Sequence, residues 1–132
     1  MFFSDLTKKL NIDCTVSFIQ IKSYENTSST GKIKEVMGLN DSINSKDVII
    51  IEDIIDTGTT YNFLINYLQK FKPSSLKIAT LFYKSEIYLK KFKNPPDYYA
   101  FDIPDKFIVG YGLDYNQLGR NYNKIYELIE GQ

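Results

Sequence analysis

The sequence has 132 residues, of which 43% are hydrophobic and 24% are charged, a composition typical of one compact folded domain. Equal numbers of acidic and basic residues give zero net charge, which argues against electrostatically driven nucleic-acid binding. The lack of histidine excludes Ser-His-Asp and Cys-His catalysis and argues against a zinc site. With one cysteine, Cys14, and no apolar run of membrane-spanning length, we expect a cytoplasmic protein that does not contact membranes.

The first third of the chain predicts a helix followed by two strands. The helix is expected over residues 1–10, one strand over 16–21 and an edge strand over 32–39. The polar segment 22–31 between the strands predicts a mobile loop, although a plain hairpin connection also fits.

The segment 48–60 is the centre of the prediction. Its four aliphatic residues, 48–51, predict a strand buried on both faces of a parallel sheet. Two acids, Glu52 and Asp53, follow where that strand should end, and Asp56 comes next. The turn 57–60 then leads into a helix whose apolar face is formed by Leu64, Tyr67, Leu68 and Phe71.

The turn before this helix predicts a phosphate site. The first turn of a helix has unpaired N–H groups and a partial positive charge, both of which favour an anion. Gly58 allows close approach of the backbone, and Thr57, Thr59 and Thr60 add hydroxyl donors. The acids would then serve sugar hydroxyls, a metal ion or a proton. The alternative is a solvated turn in which Asp56 or Thr57 caps the helix.

The second half of the chain predicts further strands and a lysine at a strand end. Strands are expected over 76–83 and 98–103, a short helix over 85–93, and a loop with a short strand over 104–115. Lys84 follows the first of these strands, at the same sheet edge as Glu52 and Asp53, where it is either functional or simply solvated. The tail 121–132 is expected to pack as a small lid.

Two motifs carry a resemblance to a known family. EDIIDTG at 52–58 resembles the phosphoribosyl-pyrophosphate (PRPP) signature of the purine phosphoribosyltransferases, and more narrowly that of the hypoxanthine-guanine branch. PDKFIVGYGLDYN at 104–116, followed by Arg120, strengthens the resemblance. It implies the type I phosphoribosyltransferase fold, a three-layer α/β/α arrangement with a mostly parallel central sheet. It also implies one domain over 1–132, with a flexible catalytic loop at about 22–38 and a C-terminal lid at about 104–132.

The same resemblance leads us to expect an N-terminally truncated form. Residues 1–6 are similar to the start of the family's helix just after the pyrophosphate loop. The strand and glycine-containing loop that precede this helix in the family are absent from the sequence. An α/β domain also normally begins with a strand that leads into its first helix.

The implied reaction transfers phosphoribosyl from PRPP to a 6-oxopurine, hypoxanthine or guanine, in purine salvage. The products would be inosine or guanosine monophosphate (IMP or GMP) and pyrophosphate, and Mg²⁺ would be the cofactor. The resemblance implies that Glu52 and Asp53 hold the ribose hydroxyls together with the magnesium bound there. It also implies that residues 57–60 hold the 5′-phosphate. Asp114 is a further magnesium ligand and Arg120 a pyrophosphate contact.

The purine would be held by four residues. The resemblance makes Asp56 the general base or the holder of the N7 proton, and Lys84 the donor to the 6-oxo oxygen. Phe107 would stack on the base, and the backbone carbonyl of Ile108 would meet the amino group of guanine. Ser23 and Tyr24 match the pair in the family's closing loop. Members of the family usually form dimers or tetramers.

Two other functions stay open from the sequence. One is a non-catalytic regulator of the same fold that binds PRPP or a nucleotide. The other is a phosphoacceptor receiver domain, which also has an acid pair at one strand end and a lysine at another. The DTGTT sequence at 56–60, directly after the acid pair, fits a receiver poorly.

Overall fold

The computed structural model describes residues 1–23, 33–39 and 41–129. Within these residues the helices are α1 (Phe2–Thr7), α2 (Thr59–Gln69) and α3 (Ser85–Tyr88). The strands are β1 (Gln20–Ser23), β2 (Ile33–Met37), β3 (Asp47–Ile55), β4 (Ser75–Tyr83), β5 (Tyr98–Asp102), β6 (Ile108–Val109) and β7 (Tyr126–Glu127). Among the described helices, none is both long and apolar enough to cross a bilayer.

The chain divides into two compact units, each assembled from separate parts of the sequence. The first unit combines Met1–Asn11, Ile49–Thr57 and Lys77–Gln132, and the second combines Ile12–Val48 and Gly58–Leu76. The single domain expected over 1–132, with a catalytic loop at 22–38 and a lid at 104–132, stays a prediction.

A three-stranded sheet in the order β3-β4-β5 forms the centre of the fold. Strands β4 and β5 are parallel, with Ala79 opposite Tyr98. Strands β3 and β4 start together, where the Ser75 hydroxyl donates to Asp47 at 2.6 Å. They also end together, where the Lys84 amide donates to the Ile55 carbonyl at 3.0 Å. All three strands therefore run in one direction, and the predicted parallel sheet is confirmed.

Strand β3 is longer than predicted. It continues through Ile54 to Ile55, so Glu52 and Asp53 lie inside the strand and not after its end. The reason is that two more β-branched residues follow the acids, and Ile55 is only 2% exposed, which anchors this end of the strand. Burial on both faces was also a wrong prediction, because Ile49 is 54% exposed while Ile50 is buried.

A two-stranded antiparallel ribbon, β1 and β2, precedes the sheet in the chain. It pairs Gln20 with Met37 and Ser23 with Ile33. The predicted strand over 16–21 is wrong in its first four residues, because residues 16–19 form no regular structure. Val16 and Phe18 are 46% and 64% exposed. Because these alternating apolar side chains are not buried, burial does not stabilise a strand there. The predicted return strand is confirmed as β2, and residues 24–31 of the predicted loop lie outside the described residues.

Helix α2 starts at Thr59, directly after its N-cap residue, and buries part of its predicted face. Gly58 is the N-cap residue, with a φ of 76° in the left-handed region. Leu64 and Leu68 are buried as predicted, whereas Phe71 lies beyond the helix end and is 40% exposed. The helix is shorter than predicted because its last amides bond three residues back, for example Phe71 to Leu68.

An aromatic cluster fills the first unit beside β4. The ring centroid of Tyr83 lies 5.2 Å from those of Tyr88 and Tyr99, and Tyr88 lies 4.8 Å from Phe92. Tyr83 and Tyr88 are each 2% exposed. This packing fixes the start of α3, which is one turn long, whereas residues 85–93 were predicted to be helical.

Candidate active site

Lys84 is a buried cation between two carboxylates. Its Nζ atom lies 3.3 Å from Oδ2 of Asp56 and 3.2 Å from Oδ1 of Asp105. The Lys84 side chain is 7% exposed, whereas those of Asp56 and Asp105 are 49% and 62% exposed. The ammonium is therefore enclosed and paired, while its two partners remain accessible to a ligand.

The backbone explains why Lys84 occupies this position. Its amide donates to Ile55, and its carbonyl accepts hydrogen bonds from the amides of Ile87 and Tyr88 at 3.2 and 3.0 Å. These bonds hold Lys84 between the end of β4 and the first turn of α3. Asp56 follows Ile55 directly, so the neighbouring ends of β3 and β4 bring the two side chains together.

Asp105 was not predicted as a site residue. It follows β5, and a hydrogen bond of 2.8 Å from the Lys106 amide to the Pro104 carbonyl bends the chain at this residue. The sequence signal was an acid a few residues after a third parallel strand, at the edge that already carried Asp56 and Lys84. It was overlooked because, in the PDKF motif, the resemblance assigned a role only to Phe107.

Glu52 and Asp53 line a common cavity of about 230 Å³. The other lining residues are Met1, Phe2, Phe3 and Ile51. Burial, and after it the charge of Asp53, raises the pKa of Glu52 from 4.5 to about 7. Glu52 and Asp53 therefore make one wall of the cavity acidic. A cation or hydroxyl donors bound there would stabilise the ionised carboxylate of Glu52.

The predicted phosphate loop follows β3 directly. Thr57 is the last residue of its segment in the first unit, and Gly58, Thr59 and Thr60 begin a segment of the second. Gly58 is buried and has left-handed backbone geometry, and α2 starts at the residue after it. The backbone thus supplies the helix start that phosphate binding requires, and the role of these four residues stays a prediction.

The predicted pyrophosphate residues contact each other. Nη2 of Arg120 lies 2.6 Å from Oδ1 of Asp114, and Nη1 donates to the Gly112 carbonyl at 2.8 Å. The Gln117 amide donates to the other Asp114 oxygen at 2.8 Å. A ligand that needs either charged group would have to compete with this existing pair.

The predicted base-binding segment lies in the first unit, just after Asp105. Phe107 is 52% exposed and meets the ring of Tyr115 edge to face, with centroids 5.7 Å apart. Ile108 starts β6, which pairs with β7. An exposed ring held by an edge contact is a surface on which a flat base can stack.

A long-range hydrogen bond links helix α1 to the C-terminal segment. The hydroxyl of Tyr111 donates to Oδ2 of Asp5 at 2.7 Å. This bond, together with Lys8, lowers the pKa of Asp5. The Tyr111 amide donates to the Tyr122 carbonyl at 2.8 Å, so the residue is held at both ends.

The remaining predicted residues are not gathered into one site. Among the described residues, no group of three His, Cys, Asp or Glu side chains could hold a metal ion, so Glu52, Asp53 and Asp114 form no such cluster. Ser23 ends β1, and Tyr24 lies outside the described residues.

Comparison with known proteins identifies the family. The model of the phosphoribosyl transferase domain matches residues 1–116. A hypoxanthine-guanine phosphoribosyltransferase of Bos taurus is 44% identical over 98% of this chain, which spans 63% of the length of that relative.

Solved structures agree. The chain resembles a hypoxanthine-guanine phosphoribosyltransferase from Bacillus anthracis with a TM-score of 0.89 and 40% identity, over 97% of this chain and 75% of that one. It resembles a hypoxanthine phosphoribosyltransferase from Trypanosoma cruzi, solved with the product IMP, with a TM-score of 0.88 and 32% identity, over 98% of this chain and 69% of that one. These matches confirm the type I fold class, with helices flanking a central parallel sheet. The chain belongs to the phosphoribosyl transferase domain family, in its hypoxanthine-guanine branch.

Proposed function

We propose that this chain transfers phosphoribosyl from PRPP to hypoxanthine or guanine, forming IMP or GMP and releasing pyrophosphate. The observation that carries the proposal is the Lys84 ammonium between Asp56 and Asp105, at the shared edge of the parallel sheet. The chain shares its sequence with relatives that are longer than itself, and the proposal assigns the whole reaction to this chain.

The Lys84–Asp56 pair suits one edge of a 6-oxopurine. O6 and N7 are neighbouring atoms on that edge of the ring. Lys84 would donate to O6, and Asp56 would hold or remove the proton at N7. Adenine has an amino group in place of O6 and so offers Lys84 no acceptor, which makes the lysine a basis for discrimination.

The acidic cavity suits the ribose of PRPP. The Glu52 and Asp53 carboxylates can accept hydrogen bonds from two sugar hydroxyls. As the bond from C1′ to pyrophosphate breaks, positive charge develops on the ribose ring, and nearby carboxylates stabilise that charge. This reaction needs positioning and electrostatic stabilisation more than a protein nucleophile, in keeping with a chain that has no histidine.

The same residues fit magnesium only if the substrate shares in binding it. Mg²⁺ is commonly held by one or two carboxylates together with substrate phosphates and water. The described residues offer carboxylates in that number at Glu52 and Asp53, and no three-ligand cluster. Asp114, paired with Arg120, would add a ligand on the pyrophosphate side once that pair opens. Bound there, Mg²⁺ would neutralise charge on the leaving pyrophosphate.

Two experiments on the whole chain test the proposal in sequence. Calorimetric titration with PRPP and Mg²⁺ should give saturable binding, and a spectroscopic assay with added hypoxanthine should then give IMP. Binding without turnover would favour the non-catalytic regulator of the same fold. Absence of both would overturn the proposal. The cytoplasmic location and the dimer or tetramer stay predictions.

A further inference from the structure

We infer that Asp105 is a positioning residue for purine recognition, which holds Lys84 in place when Asp56 turns to the base. This inference rests on the proposed function, and it assigns a role to a residue outside the predicted site. Four arguments from the first unit carry it.

The first observation is the hydrogen-bond capacity of Lys84. An ammonium has three N–H donors, and those of Lys84 meet Asp56 and Asp105 at 3.3 and 3.2 Å. Two donors are thus used by carboxylates within the described residues, and the third remains for a ligand. A 6-oxo oxygen would take this third donor without displacing either acid.

The second argument is that the two acids have different tasks in the proposed reaction. Asp56 is expected to engage N7 of the purine, and a carboxylate that does so has less to offer Lys84. Asp105 has no assigned contact with the substrate, so it can keep its bond to the ammonium throughout. Without Asp105, a buried cation would depend on one carboxylate that is also needed elsewhere.

The third observation is that the chain holds Asp105 firmly beside Lys84. The Ser85 amide donates to the Asp102 carboxylate at 3.2 Å, and the Ile103 amide donates to the Tyr83 carbonyl at 2.9 Å. These bonds carry the chain along the end of β4 as far as the turn at Pro104. The backbone position of Asp105 therefore follows from these bonds, and the two side chains complete the contact at 3.2 Å.

The fourth observation is what comes next in the chain. Phe107 and Ile108, the residues expected to stack on the base and to meet guanine, lie two and three residues after Asp105. The ion pair therefore joins the lysine that reads O6 to the segment that carries the stacking ring. Asp105 would set the distance between these two parts of the purine site.

The test compares Asp105→Asn with wild type at saturating PRPP–Mg²⁺. Because hypoxanthine turns over in this complex, its affinity is followed as KM and that of adenine as an inhibition constant. We expect Asp105→Asn to weaken hypoxanthine binding on the order of 10-fold, by the usual value of a charge-assisted hydrogen bond, and to leave adenine binding unchanged. Asp105→Glu should restore most of the preference, because it restores the carboxylate. PRPP binding should not change.

Glu127→Gln is the matched control. It removes a carboxylate from an ion pair with the neighbouring Lys106 at 3.0 Å and should not alter the preference for hypoxanthine. Circular dichroism and urea unfolding of each variant separate loss of positioning from loss of folding, and Asp105→Glu keeps the test decisive if Asp105→Asn unfolds.

The outcomes separate this inference from the proposed function. If wild type prefers hypoxanthine and Asp105→Asn keeps the full preference, the role of Asp105 is overturned and the proposed function stands. If wild type itself binds hypoxanthine and adenine equally, the proposed function fails and the inference fails with it.

Discussion

The ammonium of Lys84 lies 3.3 Å from the carboxylate of Asp56, although 28 residues separate them in the chain. The contact exists because β3 and β4 are adjacent parallel strands that end at the same edge of the sheet. A buried cation and an accessible acid thus share one site. Each of these two groups can be removed separately by substitution.

Asp56→Asn should lower turnover with hypoxanthine by about 100-fold or more while PRPP binding stays nearly intact. The amide keeps the shape of the side chain but cannot take up a proton. Steady-state rates and calorimetry on the same preparation measure both quantities, and Asp13→Asn, at an exposed acid, is the control. Loss of PRPP binding would show that Asp56 serves the sugar phosphate and not the base.

Lys84→Ala should weaken hypoxanthine binding by about 10- to 100-fold, because the donor to O6 is lost. Adenine binding should change little. The KM for hypoxanthine and the inhibition constant of adenine at saturating PRPP measure the difference, and Lys90→Ala is a control at an exposed lysine. Equal weakening for both bases would count against the assignment.

Glu52 should make stability depend on pH. Its pKa is about 7 in the folded chain and near 4.5 when unfolded, so folding takes up a proton between these values. Stability is therefore lost as the pH rises from about 4.5 to about 7. Glu52→Gln is always neutral, so it should raise the free energy of unfolding by about 1–3 kcal/mol near pH 8 and change it little near pH 4.

Urea unfolding at the two pH values measures this effect, and Glu86→Gln is the matched control at an exposed glutamate. A gain of equal size at both values would mean that the neutral amide acts through packing and not through titration. The same pKa predicts that PRPP–Mg²⁺ binds more tightly as the pH rises through about 7, because the carboxylate form is the one that attracts the ion.

Arg120→Lys should weaken binding of PRPP and of pyrophosphate about 10-fold. Once its present contacts with Asp114 and the Gly112 carbonyl open, the guanidinium can donate two N–H bonds to one phosphate group, and an ammonium cannot reproduce that fork. Calorimetry with each ligand measures the loss. Lys124→Arg, which also keeps the charge, should bind both ligands like wild type, and an Arg120→Lys variant with unchanged affinity would exclude the bidentate role.

Gly58→Ala should cost about 1–2 kcal/mol in the free energy of unfolding, because its φ of 76° is unfavourable for any residue with a Cβ atom. Urea unfolding measures the cost. Asn66→Ala, at an exposed position of the same helix, should cost less, since alanine suits a helix interior. A smaller loss for Gly58→Ala than for Asn66→Ala would show that the backbone relaxes at this turn.

The parallel sheet could be predicted because its strands are short β-branched runs with turn residues between them. The position of Lys84 at a sheet edge followed from that sheet alone, since parallel strands end at one edge, but the acid it meets there is Asp56 and not the expected Glu52 and Asp53. Strand ends were less predictable. Glu52 and Asp53 looked like a strand end because they are charged. The strand continues because burying Ile54 and Ile55 stabilises it by more than placing the two acids in the strand destabilises it.

Two errors have a common cause in tertiary contacts. Residues 16–19 alternate like a strand, yet Val16 and Phe18 are exposed, and propensity without a partner does not form a strand. Asp105 was overlooked although it follows a parallel strand, because the turn at Pro104 that brings it to Lys84 depends on contacts between distant parts of the chain.

The hydrogen bond between Tyr111 and Asp5 spans 106 residues, and this has a consequence for how the protein is made. Helix α1 has six residues and buries none of them, so it has little tendency to persist alone. Asp5 leaves the ribosome long before Tyr111 is synthesised. Helix α1 thus lacks this partner until Tyr111 is made, and we expect the helix to become ordered among the last steps of folding.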